Sequence, residues 1–310
     1  MCIRDSPRAD LNYLVYFGKR QNKFLMLEGK WAKTDLSLYD DSGTRTSLWA
    51  SHIFNANLQF NKTIGTNFLI GAEGGVNWMT LTPEINEAQY KGVDLINETL
   101  PYLRLNIIYN SLNKKFYATK GTSFKAQATY VNSLKSSFTI KDSTGNTELE
   151  FENSQVNLEL LYQKVFKVNK KIAIRWTNNI VAVFSNSENL STTHFVGGYN
   201  PLYFNTIAFY GAKEYEYSLS NALTSQLNVQ WEVFNKVFII PGISFAESEF
   251  PFKHIPNQGF KNDLGGLSRR FGFGITTSYN SPIGPINFSI AKDINNSQFT
   301  SNFSIGFWYK

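Results

Sequence analysis

The chain is poor in sulfur, imidazole and charge, and each shortage removes a class of function. A single cysteine, Cys2, stands among 310 residues, so neither a disulfide framework nor a cysteine metal site can be built. The three histidines, His52, His194 and His254, are too widely spaced for a metal motif. His52 continues an alternating strand pattern and His254 falls in a polar stretch, so both read as structural. No cofactor and no metal are expected. Charged residues make up only 17%, low for a soluble domain. The net charge is +6, but the lysines and arginines are scattered, and their densest group, Lys167 to Lys171, falls in an expected turn. A nucleic-acid face would gather them along one element. No apolar run approaches the roughly eighteen residues of a membrane helix. The Gly-x-Ser-x-Gly elbow of a serine hydrolase does not occur, and Ser268, after Gly265-Gly266-Leu267, reads as a loop serine. The chain as given is therefore not expected to be an enzyme.

What it has instead is aromatic and uncharged polar: 26 Phe, 16 Tyr and 6 Trp, with a mean hydropathy that is nonetheless negative. That combination suits the wall of a membrane barrel, where one face meets lipid and the other meets water. The pattern is clearest at the C-terminal end. Phe271, Phe273, Ile275, Thr277 and Tyr279 share one face of a strand, opposite Arg270, Gly272, Gly274, Thr276 and Ser278. Ile286, Phe288 and Ile290 repeat the pattern, as do Phe299, Phe303, Ile305, Phe307 and Tyr309. Inward-facing Glu73, Arg104, Lys125, Glu159, Arg175 and Glu232 are expected to line a solvated, ion-paired lumen, because charge cannot face lipid cheaply.

Read in order, the chain yields about thirteen strands, many of the ten or so residues that cross a bilayer at a tilt. Short and long connections alternate. Short ones fall near Arg20-Gln21-Asn22, Asn61 to Gly65, Asn110 to Gly121, Lys167 to Lys171, Asn235 and Ser281 to Pro285. Polar or irregular loops fall near Asp40 to Thr46, Thr82 to Glu98, Ser133 to Thr147, Asn186 to Asn221 and up to Gly266. A Greek-key sandwich has no reason to alternate in this way; an outer-membrane barrel does, with its short turns periplasmic. The expected fold is all-β, an antiparallel transmembrane barrel. Single-chain bacterial barrels usually have even strand numbers, so about thirteen read as the later part of a larger barrel. Residues 1–10 fit nothing that follows and read as a leader without the features of a signal peptide, with the barrel, incomplete on its N-terminal side, over 11–310.

Three segments carry a resemblance to the BamA/TamA superfamily of outer-membrane barrels, the bacterial surface antigens. Tyr109-Asn110-Ser111-Leu112-Asn113-Lys114-Lys115-Phe116-Tyr117-Ala118-Thr119-Lys120-Gly121 resembles its periplasmic turn through Asn110, Phe116, Thr119 and Gly121, with Ala118 where the family has proline. Ser281-Pro282-Ile283-Gly284-Pro285 is similar to its penultimate turn, through Pro282, Gly284 and Pro285. Ser304-Ile305-Gly306-Phe307-Trp308-Tyr309 resembles the last-strand signal, in which Gly306, Phe307 and Tyr309 would be read by the barrel-assembly machinery. The resemblance also implies a barrel of about sixteen strands, in which the longest loop folds back into the lumen before five final strands. Its opening is Gly197-Gly198, and its tip is Phe209-Tyr210-Gly211-Ala212-Lys213-Glu214, where assembly and secretion members have an arginine. Gly197, Gly198, Phe209, Tyr210, Gly211 and Glu214 look most like the barrels attached to patatin-like phospholipases. The resemblance implies a Gram-negative outer membrane, contact with its lipid, and a lipase portion upstream in the same chain. The alternative it allows is an insertion or secretion barrel preceded by POTRA domains.

Overall fold

The computed structural model describes residues 8–18, 21–39, 45–86, 93–132, 135–142, 145–151, 154–185, 194–198, 206–219, 221–248, 250–251, 267–296 and 298–306. The N-terminal strands are β1 (Arg8–Phe17), β2 (Lys23–Tyr39), β3 (Arg45–Ile64), β4 (Phe68–Asn86), β5 (Val93–Asn110) and β6 (Gly121–Asn132). A hairpin, β7 (Lys135–Asp142) and β8 (Gly145–Phe151), precedes β9 (Ser154–Lys167) and β10 (Ile172–Ser185). Three short strands follow: β11 (His194–Val196), β12 (Thr206–Ile207) and β13 (Tyr217–Leu219). The chain closes with β14 (Asn221–Phe234), β15 (Val237–Glu247), β16 (Arg269–Ser281), β17 (Gly284–Asp293) and β18 (Phe299–Ile305).

One antiparallel sheet runs β1-β2-β3-β4-β5-β6-β9-β10-β14-β15-β16-β17-β18. Every step joins strands adjacent in sequence or separated only by the hairpin or the long loop. The connections therefore fall alternately at two ends, as the sequence pattern required. At one rim the short turns bond to the ends of neighbouring strands: Thr63 N donates to Asn22 O, Asn110 N to Asn67 O, Glu232 N to Lys171 O and Asn280 N to Lys236 O. Among the described residues no ladder joins β1 to β18, and residues 9–16 of β1 are exposed on both faces.

The two faces are the reverse of a soluble sandwich. Phe271, Phe273, Ile275, Phe288, Ile290 and Phe303 stand outward and exposed, and Phe303 keeps 50% of its surface. Thr276, Ser278, Asn287, Ser289 and Asn228 point inward and are buried. A water-soluble protein does not surround itself with a continuous apolar belt; a lipid-embedded barrel must.

The structure differs from the sequence reading in three places. The polar stretch 133–147 is largely hairpin, because β7 pairs with the outer end of β5 and carries β8 with it. Much of the expected acidic loop 82–98 is strand, since β4 continues to Asn86 and β5 begins at Val93. β1 begins at Arg8, inside the stretch read as a leader, because Arg8, Ala9 and Asp10 complete the ladder with Ala32, Trp31 and Lys30. Each time, backbone pairing with a neighbour overrides a polar side-chain pattern.

Candidate functional site

The site lies inside the barrel. The loop after β10 returns into the lumen as a small sheet in which β11 pairs in parallel with β12 and antiparallel with β13. Gly197 N donates to Ile207 O at 3.0 Å, Gly198 N to Ala212 O at 3.1 Å and Phe209 N to Gly198 O at 2.9 Å. The opening glycines and the tip are thus a single folded unit. Gly197, at φ 150°, leaves no room for a β-carbon, which would overlap the carbonyl of Lys213. Glu214 flanks Gly198.

Tyr210 and Gly211 hold the tip against the wall. The Tyr210 ring lies over Gly242 of β15 and Gly274 of β16, where any side chain would collide with it. Its hydroxyl donates to Asn228 Oδ1 at 2.6 Å, and its backbone N–H donates to Ser244 Oγ at 3.2 Å. Gly211, at φ 90°, lies flat on the backbone of Lys292 and Asp293. Phe209, 1% exposed, packs with Val196, Leu219, Val181 and Ala222. The glycines of Phe271-Gly272-Phe273-Gly274 therefore form the seat for a tyrosine. A cavity of about 310 Å³ lies beside this tip, with Ser289, Thr300 and Asn302 in its wall.

The wall beside the tip carries a buried arginine. Arg270 Nη1 of β16 donates to Asp293 Oδ2 of β17 at 2.8 Å, and both side chains are buried. The guanidinium carbon stands 4.6 Å from the centroid of the Tyr217 ring. The Tyr217 hydroxyl reaches Glu216 Oε1 at 3.1 Å and Asp293 Oδ2 at 3.4 Å. Lys213 N donates to Glu216 Oε2 at 2.6 Å. Burial pushes the Glu216 carboxyl above the usual carboxylate range, opposed by the Lys213 N–H and the Tyr217 hydroxyl. Burial, and then the charge of Glu216, push the Tyr217 phenol up as well.

The base of the loop is fixed to the opposite wall. Phe195 meets Tyr215 edge to face at 5.4 Å, and both pack against Leu36, Trp49, Met79, Leu81 and Ile96 of β2 to β5. His194 Nε2 lies 3.3 Å from Glu159 Oε1 on β9. Further round the lumen, Arg104 donates to both oxygens of Glu73 at 3.3 and 3.4 Å, and the Tyr102 hydroxyl also donates to Glu73. Arg175 donates to Gln230 Oε1 at 3.3 Å, whereas Glu232 lies at the rim and accepts from Lys236 N at 3.1 Å.

A second element enters from the short-turn end. In the connector between β5 and β6, Tyr117 adopts φ 49° and stacks on Phe238 of β15 at 4.2 Å and 5°. Its hydroxyl bonds Ser278 of β16 and lies 3.4 Å from Asn287 Oδ1 of β17. Gln230 Nε2 of β14 donates to its carbonyl at 3.4 Å. This contact crosses the lumen and shows that the sheet is curled on itself. Phe116 packs against the same cluster. Asn110 Oδ1 accepts from Leu112 N at 3.0 Å, and Thr119 N donates to Asn113 Oδ1 at 2.9 Å. Gly121, at φ 119°, would clash with the Ser111 carbonyl if it carried a side chain. At the other matched turn, Pro282-Ile283 form a two-residue hairpin closed by the Ser281–Gly284 pair, with Gly284 at φ 107° and Pro285 buried. Gly306 N donates to Pro285 O at 3.1 Å, while Phe307 and Tyr309 lie outside the described residues.

Sequence reading does not find Asn113, Tyr117, Tyr217, Arg270 or Asp293 as functional positions. Arg270 and Asp293 lie one on each of two adjacent strands, and only their closeness in space distinguishes them from other inward polar residues.

The lumen thus holds one long in-folded loop, and five wall strands, β14 to β18, follow it. The OMP85 superfamily pattern matches residues 50–309. The chain belongs to the OMP85 superfamily. Among solved structures, BamA from Haemophilus ducreyi lacking POTRA domains 1–3 superposes with a TM-score of 0.62 at 15% identity, over 97% of this chain and 62% of that one. This OMP85 barrel thus spans less than two thirds of that relative. The ferric-catecholate import receptor Fiu from K12 E. coli superposes with a TM-score of 0.46 at 7% identity, over 95% of this chain and 53% of that one. No curated protein matches.

Proposed function

We propose that this OMP85 barrel is a plugged anchor in the outer membrane of a Gram-negative bacterium. It holds a soluble portion of the same protein at the membrane and either translocates that portion or presents it to outer-membrane lipid. The soluble portion is a patatin-like lipid acyl hydrolase, which supplies any chemistry. The carrying observation is the tip of the lumen loop. Tyr210 is sunk into a glycine seat in place of an arginine, and the only guanidinium at the tip's described contacts, Arg270, belongs to the wall and is bound by Asp293. Such a tip suits a stationary plug. The short turns face the periplasm, and Gly306, Phe307 and Tyr309 present the last strand to the assembly machinery. The upstream reading frame tests the assignment: a Gly-x-Ser-x-Gly elbow followed by a helix supports the hydrolase, and POTRA repeats alone overturn it.

The second reading is a BamA-like insertion or secretion barrel. It is supported by the likeness of the fold to BamA.

A further inference from the structure

The lysines that look scattered along the chain are gathered by the fold onto one rim. Lys62, Lys114, Lys120, Lys170, Lys171 and Lys236 come from four different hairpins, all lie at or beside short turns, and all are exposed. Antiparallel order places these turns at the same end of the barrel, and backbone hydrogen bonds join several of them to the ends of neighbouring strands. No Asp or Glu occurs among the described residues of the short turns at 21–22, 65–67, 111–120, 168–171, 235–236 and 282–283. In sequence, the longer connections carry both signs, with Asp40, Asp41, Glu87, Lys91, Lys253 and Asp263. The nearby acid Glu232 accepts the backbone N–H of Lys236 at 3.1 Å.

The same rim is apolar at its outer edge. Ile64, Phe166, Val168, Phe234 and Ile283 are exposed there, and Phe234 keeps 74% of its surface. Lys164 Nζ lies 5.8 Å from the Phe166 ring centroid. Apolar side chains that enter the acyl region, beside ammonium groups that reach the headgroups, form an interfacial pattern. Positive charge at that depth selects phosphate-bearing lipids of net negative charge.

We infer that the short-turn rim is a binding surface for anionic glycerophospholipid headgroups in the leaflet it contacts. The inference rests on the barrel being embedded in a bilayer, and the test separates the two ideas. Trp231 is exposed on the outer face of β14, next to Glu232, whose N–H donates to Lys171 O. The full chain is reconstituted in phosphatidylcholine vesicles containing equal fractions of either brominated phosphatidylglycerol or brominated phosphatidylcholine. Quenching of Trp231 is read as the difference from Trp231→Phe. At low salt the brominated phosphatidylglycerol should quench roughly threefold more strongly, and the preference should vanish near about 0.5 M NaCl. The variant Lys114→Gln/Lys120→Gln/Lys170→Gln/Lys171→Gln should quench equally with both lipids while still migrating as a folded barrel. Equal quenching in the unmodified chain overturns the lipid assignment and leaves an acidic protein as the occupant. A preference retained by the variant overturns the assignment to these lysines. No quenching by either lipid overturns the embedded barrel itself.

Discussion

The carbonyl oxygen of Tyr210 occupies the space that a β-carbon on Gly272 would need. Gly272→Ala must therefore lift the tip of the loop from β16 or bend the wall. An overpacked contact of this kind costs about 1–3 kcal/mol. The expected result is a lower melting temperature of the compact form on heat-modifiability gels, together with more open-channel events in planar bilayers. Gly29→Ala, where the added carbon meets nothing within 4 Å, is the control and should change neither measurement.

Tyr210 itself separates shape from hydrogen bonding. Tyr210→Phe keeps the ring in its glycine seat and loses the bond to Asn228, at a cost of about 0.5–1.5 kcal/mol. Tyr210→Ala empties the seat and should cost about 3–5 kcal/mol, the range for large-to-small aromatic truncation. Urea midpoints in detergent would rank them. Equal losses for the two variants would mean that the ring contributes nothing.

The Arg270–Asp293 pair is buried on both sides, so breaking it from one side should be worse than neutralising it. Arg270→Met leaves an uncompensated carboxylate, a loss of about 3–5 kcal/mol. Arg270→Met/Asp293→Asn removes both charges while leaving an acceptor for the Asn295 N–H, which Asp293 Oδ1 accepts at 2.8 Å. The double variant should be more stable than Arg270→Met alone, as a double-mutant cycle would show.

Glu216 sets a pH dependence for the loop. Its carboxyl is raised in the docked state, so docking is favoured while the group is protonated. That contribution is complete below the free value, near about 4.3, and is lost as pH rises through the elevated one. Hydrogen exchange of residues 209–219 should therefore speed up across that interval once the intrinsic base dependence is removed. Glu216→Gln should flatten the profile.

The wall is legible in the sequence because a strand repeats its information every second residue. Phe271, Phe273 and Ile275 on one side, with Thr276 and Ser278 on the other, name the two environments by alternation alone. Alternating connection lengths imply the strand order, and Gly197, Gly198 and Gly211 mark the loop. The anchoring chemistry is not legible in this way. Arg270 and Asp293 look like ordinary inward polar residues until β16 and β17 are paired, and Tyr117 looks like a turn aromatic until the sheet curls. The lysine rim reads as scatter along the chain because residues far apart in sequence become neighbours only when the turns are brought to one end.

Tyr117 and the lumen loop tie the same two halves of the wall from opposite ends. Tyr117 joins the β5–β6 turn to β14, β15, β16 and β17, while the loop joins β2 to β5 with β15, β16 and β17. Together they act as two crossbars inside a tube and fix its diameter. Breathing of the barrel by flattening would have to break both.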